Sequence, residues 1–210
     1  MNKSGKWVIF LKFIKKEGKG MKEQKIFGFK NVHVAKLTET DGEISYGAPI
    51  SIPGAVSFTM DVEGETSTFY ADNRPYYQVS ANNGYSGSIE MADVPAEFLT
   101  DILGQTQDAN GAIIENSGNK ASRFALMCEA DGDPSKRRFV FYNCLATRPS
   151  VELSTSEQGT DVKTAKMEIT MSPRSTDGQI KAVLDLTETN KAAYDAFFTN
   201  VYEEVKKAGV

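Results

Sequence analysis

Val56-Ser57-Phe58-Thr59-Met60-Asp61-Val62-Glu63 alternates apolar and polar residues over its whole length. Successive side chains of a strand point to opposite faces, so this period of two predicts a half-buried β-strand with Val56, Phe58, Met60 and Val62 on the core side. Pro53-Gly54 precedes the strand and Gly64 ends it. The same period returns where Ala165, Met167, Ile169 and Met171 alternate with Lys166, Glu168 and Thr170. Strands wet on one face belong to antiparallel sheets, because parallel strands are covered on both.

Working outward, Phe29, Val32, Val34 and Leu37 predict a strand with one imperfect alternation, closed by a turn at Thr40-Asp41-Gly42. Residues 38–50 contain Ile44, Tyr46, Gly47 and Pro49 and read as a long projecting loop. Thr68-Phe69-Tyr70-Ala71 and Tyr76-Tyr77-Gln78-Val79 read as short strands around Asp72-Asn73-Arg74-Pro75. Asn83-Gly84 turns the chain into a strand with Tyr85, Gly87, Ile89 and Met91 on one face. The period then lengthens. Asp93 and Pro95 suit a helix start, Phe98, Leu99, Ile102 and Leu103 share one helical face, and Gly104 is placed to end it. Residues 123–128 and 138–145 read as a hairpin whose loop contains Asp131-Gly132-Asp133-Pro134, and residues 180–186 as one more strand. A second helix is expected at the C-terminal end. Tyr194, Phe197, Phe198, Val201, Tyr202 and Val205 would form its face, with Lys206 and Lys207 near the negative end of its dipole. About eight strands and two helices predict a mainly β, α+β domain: an antiparallel sandwich or barrel with a short mid-chain helix and a C-terminal helix.

A chain of 210 residues, 40% of them hydrophobic, can bury one substantial core. Residues 1–20 carry six lysines and one glutamate, a local +5, so the net −4 of the chain leaves −9 on residues 21–210. An acidic body lacks the clustered lysine and arginine that grip phosphates. The apolar run at residues 7–11 is broken by Lys12 and lacks both a cleavage site and the length of a membrane span. Lys16-Glu17-Gly18-Lys19-Gly20 back-translates to a purine-rich stretch ahead of Met21, like a ribosome-binding site. Residues 1–20 are therefore expected to be a non-native or disordered extension, with a single domain over residues 21–210.

The chemical inventory is thin. His33 is the only histidine and sits between two valines of an expected strand. Cys128 and Cys144 lie in apolar runs without metal-knuckle or redox spacing, and buried free thiols are expected in preference to a disulfide. Asp131-Gly132-Asp133 lacks the ligand spacing of a calcium loop. No phosphate loop, dinucleotide fingerprint or nucleophile elbow occurs. Carboxylates are numerous enough to leave a glycosidase pair open, although Asp61, Glu63 and Glu90 fall at solvated alternation positions. No catalytic residue, cofactor or metal site is predicted. The adjacent pairs Phe69-Tyr70 and Tyr76-Tyr77 point one aromatic of each pair away from the core. Two accounts remain: a two-sided core covered by the C-terminal helix, or a subunit interface, where tyrosine and phenylalanine are enriched.

An ordered series of motifs runs through the chain: Phe27-Gly28-Phe29-Lys30-Asn31-Val32, Ile52-Pro53-Gly54-Ala55-Val56, Phe69-Tyr70-Ala71-Asp72-Asn73, Asn83-Gly84-Tyr85-Ser86-Gly87, then residues 98–104 and 124–174 ending in Ser172-Pro173-Arg174. In this order they resemble the major tail (tail tube) proteins of siphoviruses of Gram-positive bacteria. The resemblance spans residues 21–210. It implies a structural virion protein, not an enzyme, whose copies form hexameric rings that stack around a tape-measure protein and end at terminator and tip proteins. DNA then passes through an acidic bore without sequence-specific binding. Assembly would occur in the host cytoplasm, with no membrane partner. It also places the ring-stacking loop at residues 38–50, with Thr40, Asp41, Gly42, Glu43, Tyr46 and Pro49 as its candidate contacts. A contractile-tail inner tube, a type VI secretion ring protein and a monomeric β-sandwich binding module remain as alternatives.

Overall fold

The computed structural model describes residues 28–151 and 164–206. The first half forms β1 (Gly28–Thr40), β2 (Glu43–Tyr46), β3 (Ile50–Ser51), β4 (Ala55–Glu63), β5 (Thr66–Ala71), β6 (Arg74–Ser80), β7 (Gly84–Met91) and helix α1 (Ala96–Asp101). The second half adds β8 (Thr106–Gln107), β9 (Ile113–Ile114), β10 (Phe124–Asp131), β11 (Arg138–Ala146), β12 (Ala165–Met171), β13 (Lys181–Leu184) and helix α2 (Lys191–Asp195).

One antiparallel sheet dominates, in the order β2-β1-β10-β11-β12-β7-β4, with β3 paired to β1 and β13 to β11. The sheet forks at β11. Arg138, Phe139, Val140 and Phe141 pair with β13, whereas Cys144, Leu145 and Ala146 pair with β12. In a flat sheet β1 and β4 would lie roughly 24 Å apart at about 4.8 Å per strand. Instead the Phe29 and Phe58 rings meet at 6.0 Å. The sheet therefore curls until its ends approach, but among the described residues β1 and β4 do not pair, and the barrel stays open.

Inside the curl, Phe58 and Tyr85 pack edge-on against Phe141, and Phe98 of α1 against Phe124. The expected short helix forms, starting after Pro95 and burying Phe98. Gly87 is required on β7, because a Cβ there would collide with the Thr59 carbonyl of the neighbouring strand. β10 and β11 are buried on both faces. Leu126 and Phe141 belong to the inner core, while Met127, Val140 and Tyr142 belong to a second core on the outer face.

Residues beyond α2 cover that second core. The expected long C-terminal helix is corrected here: it ends at Asp195, and the chain runs on as a non-helical strap. Thr199, Asn200 and Val201 are weak helix formers, and contact with the sheet decides their path instead. Phe197 is buried, Phe198 stacks on His33 at 4.7 Å, and Tyr202 stacks on Phe197. Val205 is exposed, Lys206 lies past any helix, and Lys207 lies outside the described residues, as do residues 1–20.

The projecting loop at residues 38–50 is also corrected. Leu37 through Thr40 pair with β2 in a regular hairpin. Its two-residue turn, Asp41-Gly42, has positive φ at both positions, as the twist of a tight hairpin demands. The turn is legible in sequence, but the weak polar alternation of Glu43-Ile44-Ser45-Tyr46 masks the second strand. Asn31, also at positive φ, marks a bulge in β1 and accounts for its imperfect alternation.

Candidate assembly surfaces

β5 and β6 extend the β4–β7 hairpin outward as a two-stranded arm. The ladder continues through Asn83 N–H to the Glu63 carbonyl at 2.8 Å and Ala81 N–H to the Glu65 carbonyl at 2.9 Å. At its tip Asp72 and Asn73 both adopt positive φ, giving a two-residue turn one step earlier than the sequence suggests. Nothing among the described residues packs on either side of the arm. Phe69 is 63% exposed, Tyr70 64%, Tyr76 78% and Tyr77 63%. The expectation that one aromatic of each pair turns inward is therefore corrected: all four are outside, because the arm has left the core that would bury one face. Burying each would gain about 1.5–3 kcal/mol, so in an isolated chain they forgo much of their hydrophobic stabilisation.

The residues assigned to ring stacking divide. Thr40, Asp41, Gly42 and Glu43 form the exposed tip of the β1–β2 hairpin, while Pro49 is partly covered. Tyr46 turns inward and donates its hydroxyl proton to the Tyr142 carbonyl at 3.0 Å. Burial pushes that phenol up to about 12.

Arg174 holds the sheet, the loop after β12 and the strap together, and its place beyond the last alternating residue, Met171, gives no hint of this. It is 7% exposed, with one guanidinium nitrogen within 2.8 and 2.9 Å of the two Glu203 oxygens. It reaches Asp177 at 2.5 and 3.1 Å and lies 4.4 Å over the Tyr142 ring. The guanidinium holds the Asp177 carboxyl below its ordinary value. Arg138 repeats the device, bonding Glu129 at 3.0 Å and lying 3.7 Å over the Tyr194 ring.

A polar face crosses β4, β7 and β12. In register, Ser57, Glu90 and Lys166 form one row, Thr59, Ser88 and Glu168 the next, and Asp61, Ser86 and Thr170 a third. With Glu63 beyond, four carboxylates stand against one lysine among small hydroxyl side chains. Hydrogen bonds from the Thr164 and Ser57 hydroxyls hold the Glu90 carboxyl below its ordinary value.

Opposite it, where β1 and β4 approach without pairing, an open groove of about 420 Å³ is lined by Phe29, Val56, Phe58, Met60, Cys128 and Phe139. Val56 sits at a bulge in β4 and is 51% exposed, not buried as its alternation implies. Val62 is likewise exposed, so only Phe58 and Met60 of that apolar set pack on the core. Cys128 and Cys144 are buried free thiols, and burial pushes Cys128 up to about 12. Among the described residues no cluster of histidine, cysteine or carboxylate side chains suits a metal, and no helix is long and apolar enough to cross a membrane.

Among the described residues, two packed cores stand beside an uncovered aromatic arm and an open apolar groove, the features of a mainly β protein with apolar surface left exposed. The chain belongs to the phage tail tube protein family, whose model matches residues 21–205. It is a structural tail protein. No curated protein matches it in sequence. Among solved structures, the tube-terminating cap of the anti-feeding prophage is similar at 9% identity over 74% of this chain and 89% of that one, with a TM-score of 0.42. A sheath-tube complex of an extracellular contractile injection system is similar at 10% identity over 74% and 89%, with a TM-score of 0.43. These likenesses are too loose to add to the fold described above.

Proposed function

We propose that this chain is the tube subunit of a non-contractile phage tail of a Gram-positive host. Copies join into hexameric rings, the rings stack around a tape-measure protein between terminator and tip proteins, and DNA later passes down the emptied bore. Assembly takes place in the host cytoplasm, and the product is part of the virion. The observation that carries this is the aromatic arm, exposed on both faces in a member of the tail tube family. The tip of the β1–β2 hairpin, Thr40 to Glu43, contributes ring-stacking contacts beside it, with Tyr46 anchoring the hairpin from within. The polar face of β4, β7 and β12 is assigned to the bore, since hydroxyls and like-charged carboxylates give a duplex nothing to adhere to. No reaction is assigned to the chain.

The working domain is residues 21–210, and the family match beginning at Met21 supports that boundary. Mass spectrometry of the protein from virions tests it; an N-terminal peptide from residues 1–20 would overturn it. For assembly itself, size-exclusion chromatography and negative-stain microscopy across a concentration series should show rings or tubes. A monomer at every concentration refutes the proposal.

A further inference from the structure

We propose that the aromatic arm of one copy seats in the open β1–β4 groove of a second copy, joining two different surfaces of the same chain. The proposal rests on the self-assembly reading above and names the two surfaces that meet.

The arm cannot serve its own groove. It continues the β4 ladder past Glu63, carrying Phe69 roughly 36 Å beyond Phe58 at about 3.3 Å per residue, and its two strands stay paired from Thr66–Ser80 to Ala71–Arg74, with one irregularity at Phe69–Tyr70, so it runs away from the groove. Yet it needs cover. Four aromatics of about 200 Å² each, all at least 63% exposed, leave on the order of 500 Å² of ring surface uncovered. A stable interface takes about 800 Å² from each partner, so these rings supply more than half, with Val79 and the ribbon backbone available for the rest.

The groove offers what the arm lacks. Its wall is aromatic and aliphatic, and two of its borders are strand edges: among the described residues β4 pairs only with β7, and the first residues of β1 pair only with β10. Among the described residues β5 and β6 pair only with each other, so within them the arm also has free outer edges. An incoming strand can bury its rings and pair its backbone at once, which a small apolar ligand cannot do. Because donor and acceptor surfaces differ, a growing row of copies always keeps one free arm and one free groove. Such a head-to-tail contact closes into a ring when its rotation allows, whereas a self-complementary contact stops at a dimer.

The test pairs cysteines at exposed positions. One population carries Val56→Cys; the others carry cysteine in place of Phe69, Tyr70, Tyr76 or Tyr77 in turn. Each arm variant is mixed in equal amounts with the groove variant, both in a Cys128→Ala background because Cys128 lines the same groove, assembled, oxidised and run on a non-reducing gel, the buried Cys144 staying out of the reaction. At least one arm position should give a mixed covalent dimer several-fold above either variant alone. Rings or tubes that form without any mixed disulfide overturn the arm–groove contact and leave the assembly reading standing. Failure of the unsubstituted chain to assemble at any concentration overturns both. A disulfide within one chain between Val56→Cys and Ile26→Cys, with no arm cross-link, assigns the groove to the chain's own N-terminal segment and also overturns the proposal.

Discussion

Arg174 brings together groups distant in sequence, Tyr142 of the sheet, Asp177 of a loop and Glu203 of the strap, in contacts of 2.5 to 4.4 Å. Replacing it with methionine keeps the stem but removes every charged hydrogen bond. We expect a loss of about 2 kcal/mol, within the range for bonds to charged groups and discounted for the partly exposed carboxylates. Chemical denaturation of the variant checks this. The Asp177 carboxyl titrates below its ordinary value of 3.8, so its contribution is complete above that value and is lost as pH falls through the depressed one. The stability difference between the parent and Asp177→Asn should accordingly shrink on acidification below pH 3.8, measured as denaturation midpoints. The cysteines give a simpler reading. With Cys128 raised to about 12 and Cys144 higher still, neither should react with a thiol reagent at about pH 8 until denaturant opens the core. A fast-reacting thiol in the native protein would contradict their burial.

At the level of elements, the arm separates stability from assembly. Its aromatics touch neither core, so serine at Tyr70, Tyr76 and Tyr77 together should move folding stability by no more than about 0.5 kcal/mol per site. The same variant should lose rings and tubes in negative stain. Phe141→Ala is the converse case: it empties the junction of Phe58, Tyr85 and β11 and should cost about 3–5 kcal/mol. If the arm variant unfolds as readily as the core variant, the arm is part of the fold and the separation fails. The arm's two strands were readable from their residues, since β-branched and aromatic runs flank a turn. Their exposure was not, because alternation says which residues share a face and nothing about whether that face is covered.

Across the whole molecule, the polar face should control passage and leave assembly alone. Asp61→Lys, Glu63→Lys and Glu168→Lys together reverse its charge at solvated positions. Virions carrying them should form normal tubes but eject DNA more slowly, and the defect should ease with added salt as the attraction is screened. Unchanged ejection kinetics at low salt would remove this face from the bore.

Sequence by itself determined the features that depend on neighbours along the chain. Strand geometry sends alternate residues to opposite faces, so β4, β7 and β12 were visible as period-two runs and Asp41-Gly42 as a turn, whereas Asn83-Gly84, read as a turn, carries the ladder straight on from β6 into β7. The presence of α1, though it stops at Asp101 and short of Gly104, and the burial of both thiols followed from local apolar patterns, and the ordered motifs over residues 21–210 carried the family. Tertiary structure alone decided the rest. The curl that brings Phe29 to Phe58, the burial of β10 and β11 on both faces, the strap that replaces a helix and the Arg174 cluster all join residues remote in sequence. Such contacts are set by how a twisted sheet closes on itself, and local periodicity does not encode that closure.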